Sequence, residues 1–204
     1  MEISSDVKAR GARPHRAMAA LGLLLGSVWP VAAGATCASA DDLAGGIRFE
    51  MPSGASWDLS GQGADRVAYF QWSPDFPTQR MDLTRDIFIV SLVSEDMAEP
   101  WRAEFAPLPS ASPSPGLTWE TRMSSSGLGI NRVDGMTYTF GAAQELSFGA
   151  CRYTYLPMTL QSDPISTEGD RNVSEYFYFP ELGGVVIQSD GYGNSWPITG
   201  ISAR

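Results

Sequence analysis

The chain has 204 residues, in which 14 Lys and Arg stand against 23 Asp and Glu, and its formal net charge is −9. A strongly acidic chain without a basic cluster repels phosphate groups, which excludes nucleic-acid binding. The only histidine and the only lysine are His15 and Lys8, so the chain beyond residue 40 cannot build a Ser-His-Asp site, a Ser-Lys site or a histidine-based metal site.

The N-terminal region has the composition of a secretory signal peptide. Basic residues between 8 and 16 precede an apolar run at 17–29, and small residues that fit cleavage after Ala35 or after Ala40 follow. The apolar run is short for a membrane span. We therefore expect a signal peptide at 1–35, with an uncleaved anchor as the alternative. The mature chain would then have no membrane span and would be exported to the periplasm or the cell exterior.

The position of signal-peptide cleavage decides whether the two cysteines can form a disulfide. Cleavage after Ala35 retains Cys37, which can pair with Cys151 in an oxidising compartment. Cleavage after Ala40 would leave Cys151 as a lone thiol in an exported protein. We favour the first alternative, which predicts a disulfide between Cys37 and Cys151.

From residue 46 onward, short runs of apolar and β-branched residues alternate with Gly, Pro and Ser. Residues 46–59 predict a hairpin. Further strands are predicted at 66–72, 86–93 and 101–106, and the hydrophobic run at 86–93 predicts a buried strand. The four prolines within 107–116 prevent regular pairing and predict a surface connection.

The densest aromatic runs lie at 138–160 and 175–188. Both faces of these runs are largely apolar or aromatic, which predicts central strands covered on both sides. The pattern contains no amphipathic helix and indicates about nine to twelve short strands. We therefore predict an all-β fold with a single domain at 36–204, either an antiparallel β-sandwich or a small barrel-like sheet.

Three segments in chain order carry a resemblance to a known group. They are GLTW at 116–119, FGACRY at 148–153 and YFPELG at 178–183. Together they resemble uncharacterised exported bacterial proteins that have an N-terminal cysteine, a C-x-Y strand and a Y-x-P-E-L-G turn. The resemblance implies a bacterial envelope setting and supports the disulfide between Cys37 and Cys151. It implies no activity and no catalytic residue.

Carboxylate chemistry is the enzymatic option that this composition leaves open. Glycoside hydrolysis needs two carboxylates beside the scissile bond and aromatic side chains that hold the sugar. Glu175 lies in phase with aromatic residues of its strand, and Glu181 or Glu145 is a candidate second carboxylate. These glutamates are equally typical of a strand end and a turn, and we prefer that interpretation. We assign no catalytic residue and no cofactor.

Oxygen ligands for Ca²⁺ occur in two loops. They are Asp163, Glu168 and Asp170 in the first loop and Asp190 and Asn194 in the second. Their spacing matches no known calcium loop, and solvated turns have the same composition. We therefore predict no metal site.

Tryptophans supply the remaining candidates for ligand binding. β-Domains usually bury Trp in the core, but Trp119 follows the proline-rich segment and Trp196 lies in a Gly-rich loop, so we expect these two to be the most exposed. With Glu175 and Glu181 they form the candidate ligand-binding set. The sequence favours an exported, non-enzymatic domain that binds an unknown protein or glycan partner or acts in envelope assembly. The alternative is a carbohydrate-active protein that uses an Asp/Glu pair.

Overall fold

The computed structural model describes residues 36–63, 65–165 and 169–204. The predicted signal peptide at 1–35 and Glu168 of the first acidic loop lie outside the described residues. All described residues fall within one compact unit. None of the described helices is long and apolar enough to cross a lipid bilayer.

The described part of the chain contains thirteen strands, all paired antiparallel, and two short 3-10 helices, at Ala40–Ala44 and Pro52–Gly54. This confirms the predicted all-β antiparallel class, with one strand more than the predicted number. The strands are β1 (Ile47–Glu50), β2 (Ser56–Gln62), β3 (Asp65–Gln71), β4 (Gln79–Thr84), β5 (Phe88–Val93), β6 (Trp101–Ala106), β7 (Thr118–Gly127), β8 (Ile130–Phe140), β9 (Gln144–Phe148), β10 (Cys151–Pro164), β11 (Asn172–Phe179), β12 (Gly184–Ser189) and β13 (Gly200–Ala203).

The strands form one open sheet in the order β12-β11-β10-β8-β7-β6-β5-β4-β3-β2-β1-β13. Strands β1 to β8 form a meander, and the pairing of β1 with β2 confirms the hairpin predicted at 46–59. The long strand β10 pairs with β9 over residues 151–155 and with β8 over residues 158–164. Residues 107–116 contain no strand, and most of them are exposed.

The sheet curls and brings β11 against β1, which lies near the opposite end of the strand order. Tyr178 and Phe179 are consecutive on β11, so their side chains point to opposite faces. The ring of Tyr178 lies 6.1 Å from that of Phe140 on β8, and the ring of Phe179 lies 5.3 Å from that of Phe49 on β1. All four side chains are buried. The prediction of a strand covered on both faces is confirmed for the second half of β11.

Two other segments are less buried than predicted. In β5, Phe88 is buried, whereas the residues after it are half-buried. At the start of β10, Arg152 is exposed between the buried Cys151 and Tyr153. The predicted burial of 86–93 and the predicted double coverage of β10 are therefore wrong at these positions, because side chains on the outer face remain in contact with solvent.

A disulfide fastens the N-terminal segment to β10. Cys37 and Cys151 are bonded, with their Cα atoms 5.4 Å apart, and this confirms the predicted pairing. Next to the bridge, the backbone N–H of Ala38 donates a hydrogen bond of 3.0 Å to the buried hydroxyl of Tyr153. The segment from 37 to the first 3-10 helix is therefore fixed both covalently and by a buried hydrogen bond.

A buried arginine connects β3 to the turn between β11 and β12. The Nε of Arg66 donates to the carbonyl oxygen of Gly183 at 2.8 Å, and its Nη2 lies 3.1 Å from Oδ1 of Asp86. Burial raises the pKa of the Asp86 carboxyl, and the charge of Arg66 opposes this rise. Gly183 has φ +60°, and a Cβ there would lie 2.7 Å from Nη2 of Arg66. The turn thus needs glycine both for its backbone angle and for the approach of Arg66.

We expect Cys151→Ser to lower the free energy of unfolding by about 4 to 5 kcal/mol, because the bridge closes a long loop and its loss restores entropy to the unfolded chain. Urea denaturation of the wild-type and variant proteins measures the difference. Cys37→Ser should cause the same loss, and the double variant should lose no more than either single one. A loss below about 1 kcal/mol would contradict this account of the bridge.

Gly183→Ala is expected to destabilise the protein more than Gly149→Ala. Gly149 is a matched control, since its φ is +61° and no atom lies within 4 Å of its Cβ position. The control should lose about 1 kcal/mol from the left-handed backbone alone. Gly183→Ala should lose at least about 2 kcal/mol more, because the added methyl displaces the buried guanidinium of Arg66 from its partners. Equal losses in denaturant titrations would show that Arg66 does not depend on this glycine.

Candidate ligand-binding groove

The inner face of β7, β8, β10 and β11 changes from aromatic to polar along the strands. Residues that pair directly on antiparallel strands project to the same face. The register pairs Trp119 with Tyr138 and Ser125 with Arg132, so aromatic positions lie together and polar positions lie together. In order from the aromatic to the polar end, the inner-facing residues are Trp119, Thr121, Met123 and Ser125 on β7; Phe140, Tyr138, Met136, Asp134 and Arg132 on β8; Leu156, Met158, Leu160 and Ser162 on β10; and Tyr178, Tyr176, Ser174 and Asn172 on β11.

Part of this face surrounds a cavity of about 200 Å³, which we call the apolar cavity. Phe105, Met136 and Met158 contribute to its lining. Its polar atoms include the phenol groups of Tyr138 and Tyr176. Burial raises the pKa of both, that of Tyr176 to about 12. Both hydroxyls therefore stay uncharged at physiological pH, and the cavity presents no ionised tyrosine to a bound molecule.

The apolar cavity adjoins a larger and more polar space, which we call the mouth. The mouth has a volume of about 620 Å³, and its lining includes Ser125, Asn172 and Ser174. Trp101 and Leu160 line both spaces. The two spaces are therefore neighbours, and together they form what we call the groove. Grooves with apolar walls and a few fixed polar groups are typical of small-molecule sites.

A buried ion pair lies in the wall of the mouth. Asp134 is completely buried. The Nε of Arg132 donates to its two oxygens at 2.9 and 2.7 Å, and Nη2 donates to Oδ1 at 2.7 Å. These hydrogen bonds to Asp134 raise the pKa of Arg132. Among the described residues, Nη1 of Arg132 has no hydrogen-bond acceptor.

Ser125, directly opposite Arg132 in the sheet, contributes a second polar group. The residue is 6% exposed, and its Oγ is buried without a hydrogen-bond partner in the described part of the chain. An unpaired buried hydroxyl costs about 1 to 3 kcal/mol. Buried polar groups in folded proteins are otherwise nearly always paired. A serine retained in this state is a candidate contact for a ligand.

The loop after β12 forms the rim of the mouth. Tyr192 lines the mouth and is 84% exposed. The loop is fixed internally, because Oδ1 of Asp190 accepts the backbone N–H groups of Tyr192 and Asn194 at 3.0 Å each. Gly191 permits close contact with β11, since a Cβ there would lie 2.4 Å from Nδ2 of Asn172. The rim thus carries an aromatic ring on a hydrogen-bonded turn.

The two tryptophans that were expected to be exposed lie in the core. Trp119 is 8% exposed, and its ring lies 4.9 Å from that of Phe140. Trp196 is 7% exposed and lies 4.7 Å from the ring of Trp72. Its backbone N–H donates to the carbonyl of Gln188 at 2.7 Å, which holds the Gly-rich loop against the sheet. The expected exposure of Trp119 and Trp196 is therefore wrong.

The candidate carboxylates lie outside the groove. Glu175 is exposed near the middle of β11 and accepts a hydrogen bond of 3.0 Å from the hydroxyl of Ser189. Glu181 is exposed in the turn between β11 and β12, and Glu145 is exposed on β9. The lining of the groove includes none of these three glutamates.

Within the first acidic loop, Asp163 is bound by neighbouring side chains. Its carboxylate accepts 2.6 Å hydrogen bonds from Gln161 and from Arg171. These two hydrogen bonds lower the pKa of Asp163. The described residues contain no group of three or more His, Cys, Asp or Glu side chains arranged to hold a metal ion.

Sequence reasoning missed the groove, although the signal was present. Every second residue of β7 reads Trp, Thr, Met, Ser, and every second residue of β8 reads Phe, Tyr, Met, Asp, Arg from its C-terminal end. An apolar-to-polar gradient that repeats on paired strands predicts a face that is packed at one end and polar at the other. The gradient becomes visible only when the strands are aligned by their register.

Comparison with protein-family models, with curated proteins and with solved structures finds no match.

Replacing Arg132 should destabilise the protein more than replacing Asp134. Arg132→Gln leaves a fully buried carboxylate without its partner and should cost about 3 to 5 kcal/mol. Asp134→Asn should cost about 1 to 2 kcal/mol, because the side chain of Arg132 is 34% exposed and can turn toward water. Chemical denaturation of both variants measures the two losses. The opposite order would mean that Asp134 does not depend on Arg132.

Proposed function

We propose that the protein is an exported, non-enzymatic binding protein that holds a small molecule in the groove. The observation that carries this proposal is the position of the apolar cavity beside a mouth whose wall contains the ion pair of Arg132 with the buried Asp134 and the unpaired hydroxyl of Ser125. Apolar walls supply affinity, and a few fixed polar groups supply orientation.

The disulfide supports the exported setting. Disulfides persist in oxidising compartments such as the periplasm or the cell exterior. Cleavage of a signal peptide at 1–35 would retain Cys37, whereas cleavage after Ala40 would remove it. The bond from Cys37 to Cys151 and the hydrogen bond from Ala38 to Tyr153 favour cleavage after Ala35.

A binding role has more support than carbohydrate chemistry. A glycosidase needs one carboxylate that transfers a proton and a second that acts on the sugar. The groove lining contains two carboxylates, Asp134 and Asp170, and both oxygens of Asp134 accept hydrogen bonds from Arg132, so the lining does not offer two free carboxylates. Glu175 and Glu181 lie outside the groove lining. The groove has the size of a small-molecule site. None of its features favours either of the two partner classes expected from the sequence, which were a protein and a glycan.

The proposal is tested with N-phenyl-1-naphthylamine, a neutral dye whose fluorescence rises in apolar surroundings. Wild-type full chain with its disulfide intact should bind the dye saturably. Ser174→Trp places a large ring in the mouth and should weaken binding at least about tenfold. Val173→Trp is the matched control, since Val173 is the adjacent residue, is 41% exposed and points to the opposite face. It should bind like the wild type.

Absence of saturable binding to the wild-type protein would contradict the proposed function. So would equal binding by Ser174→Trp and wild type, because the dye would then occupy some other surface.

A further inference from the structure

On the basis of the proposed function, we infer that the ligand of the groove is an uncharged amphiphile. Its apolar end is a single ring or a short branched chain in the apolar cavity, and its head is a hydroxyl or amide group that contacts Ser125 and Arg132.

The volume of the apolar cavity limits the size of the apolar end of the ligand. A dry apolar cavity of about 150 Å³ accommodates benzene, so the 200 Å³ of the apolar cavity corresponds to roughly six to eight non-hydrogen atoms. Met123, Met136 and Met158 contribute to the wall. Methionine side chains adapt to irregular shapes. The cavity therefore fits one ring or a short branched chain, and a long acyl chain would extend out of it.

The charges of the mouth favour a neutral head. Its charged lining residues are Arg132, Arg171, Asp134 and Asp170, two of each sign. The buried Asp134 and Arg132 already neutralise one another. Arg171 pairs with Asp163, so the exposed Asp170 is the counter-ion left for a charged head, and an exposed ion pair contributes little because water screens it. The net charge of −9 further opposes an anion.

Two polar groups are placed to receive the head. The Oγ of Ser125 is buried without a partner, and Nη1 of Arg132 has no acceptor among the residues described. Ser125 and Arg132 are cross-strand partners on the same face, so one ligand atom can reach both. A hydroxyl or amide oxygen accepts from Arg132, and Ser125 both donates and accepts. Binding would thereby pair a hydroxyl that is otherwise unsatisfied.

Four probes with the same ring and the same number of carbon atoms test the charge and the head. They are 2-phenylethanol, phenylacetate, 2-phenylethylammonium and ethylbenzene, each titrated against the wild-type full chain in competition with N-phenyl-1-naphthylamine. We expect 2-phenylethanol to bind about tenfold more tightly than either charged probe. A charged probe that binds as tightly as the alcohol, or more tightly, overturns the inference.

A pair of adjacent serine variants tests the role of Ser125. Ser125→Ala should weaken 2-phenylethanol about three- to tenfold and leave ethylbenzene unchanged, because only the alcohol uses the hydroxyl. Ser124→Ala is the matched control on the exposed face of the same strand and should change neither. Circular dichroism checks that both variants are folded. Equal binding of 2-phenylethanol to Ser125→Ala and wild type overturns the assignment of Ser125.

The outcomes separate this inference from the proposed function. If the dye does not bind the wild-type protein, the proposed function fails. If the dye binds and Ser174→Trp blocks it, but the alcohol shows no advantage over the charged probes, the proposed function stands and the inference about the ligand class fails.

Discussion

The structure depends on one constraint, which is that a single open sheet must provide its own second layer. A sheet buries an apolar face only against another layer, and the described part of the chain has no long helix to supply one. The sheet therefore curls, so that Phe179 of β11 contacts Phe49 of β1 and Phe88 of β5 contacts Tyr138 of β8. The hydrogen bond from Arg66 to Gly183 and the disulfide fasten the curled sheet at two separate places.

The same curl explains why a groove exists. At the C-terminal half of β11, large side chains fill both faces, and the residues are buried without alternation. At the N-terminal half, Val173 and Glu175 are exposed, and the inner-facing residues are the smaller Ser174 and Asn172, which line the mouth. The aromatic end of the strands thus stabilises the fold, and the polar end is left open as the mouth. The change in side-chain size along β11 therefore accounts for both the packed end and the open end.

The sequence predicts the strands and the disulfide well, because both depend on local or chemical rules. The alternation of apolar and polar residues and the turn residues locate the hairpin at 46–59. The oxidising compartment expected for an exported protein predicts the disulfide between Cys37 and Cys151. Trp119 was misjudged because its position beside a proline-rich segment says nothing about which face of β7 turns inward. The mouth was missed for a related reason, since Asp134 and Ser174 line the same space only because β8 and β11 both pair with β10. Register between strands that are distant in sequence is not encoded locally.

The ion pair of Arg132 and Asp134 is difficult to explain as a device for stability. Replacing a buried pair by apolar side chains of similar volume is often neutral or stabilising, and Met123 lies directly opposite Asp134 as an apolar neighbour. An apolar pair would, however, extend the apolar cavity up to the rim and remove the free edge of the guanidinium. The ion pair sets the depth at which the groove changes from apolar to polar. Under the proposed function, the pair orients the bound molecule, which is the property expected of polar groups in a binding site.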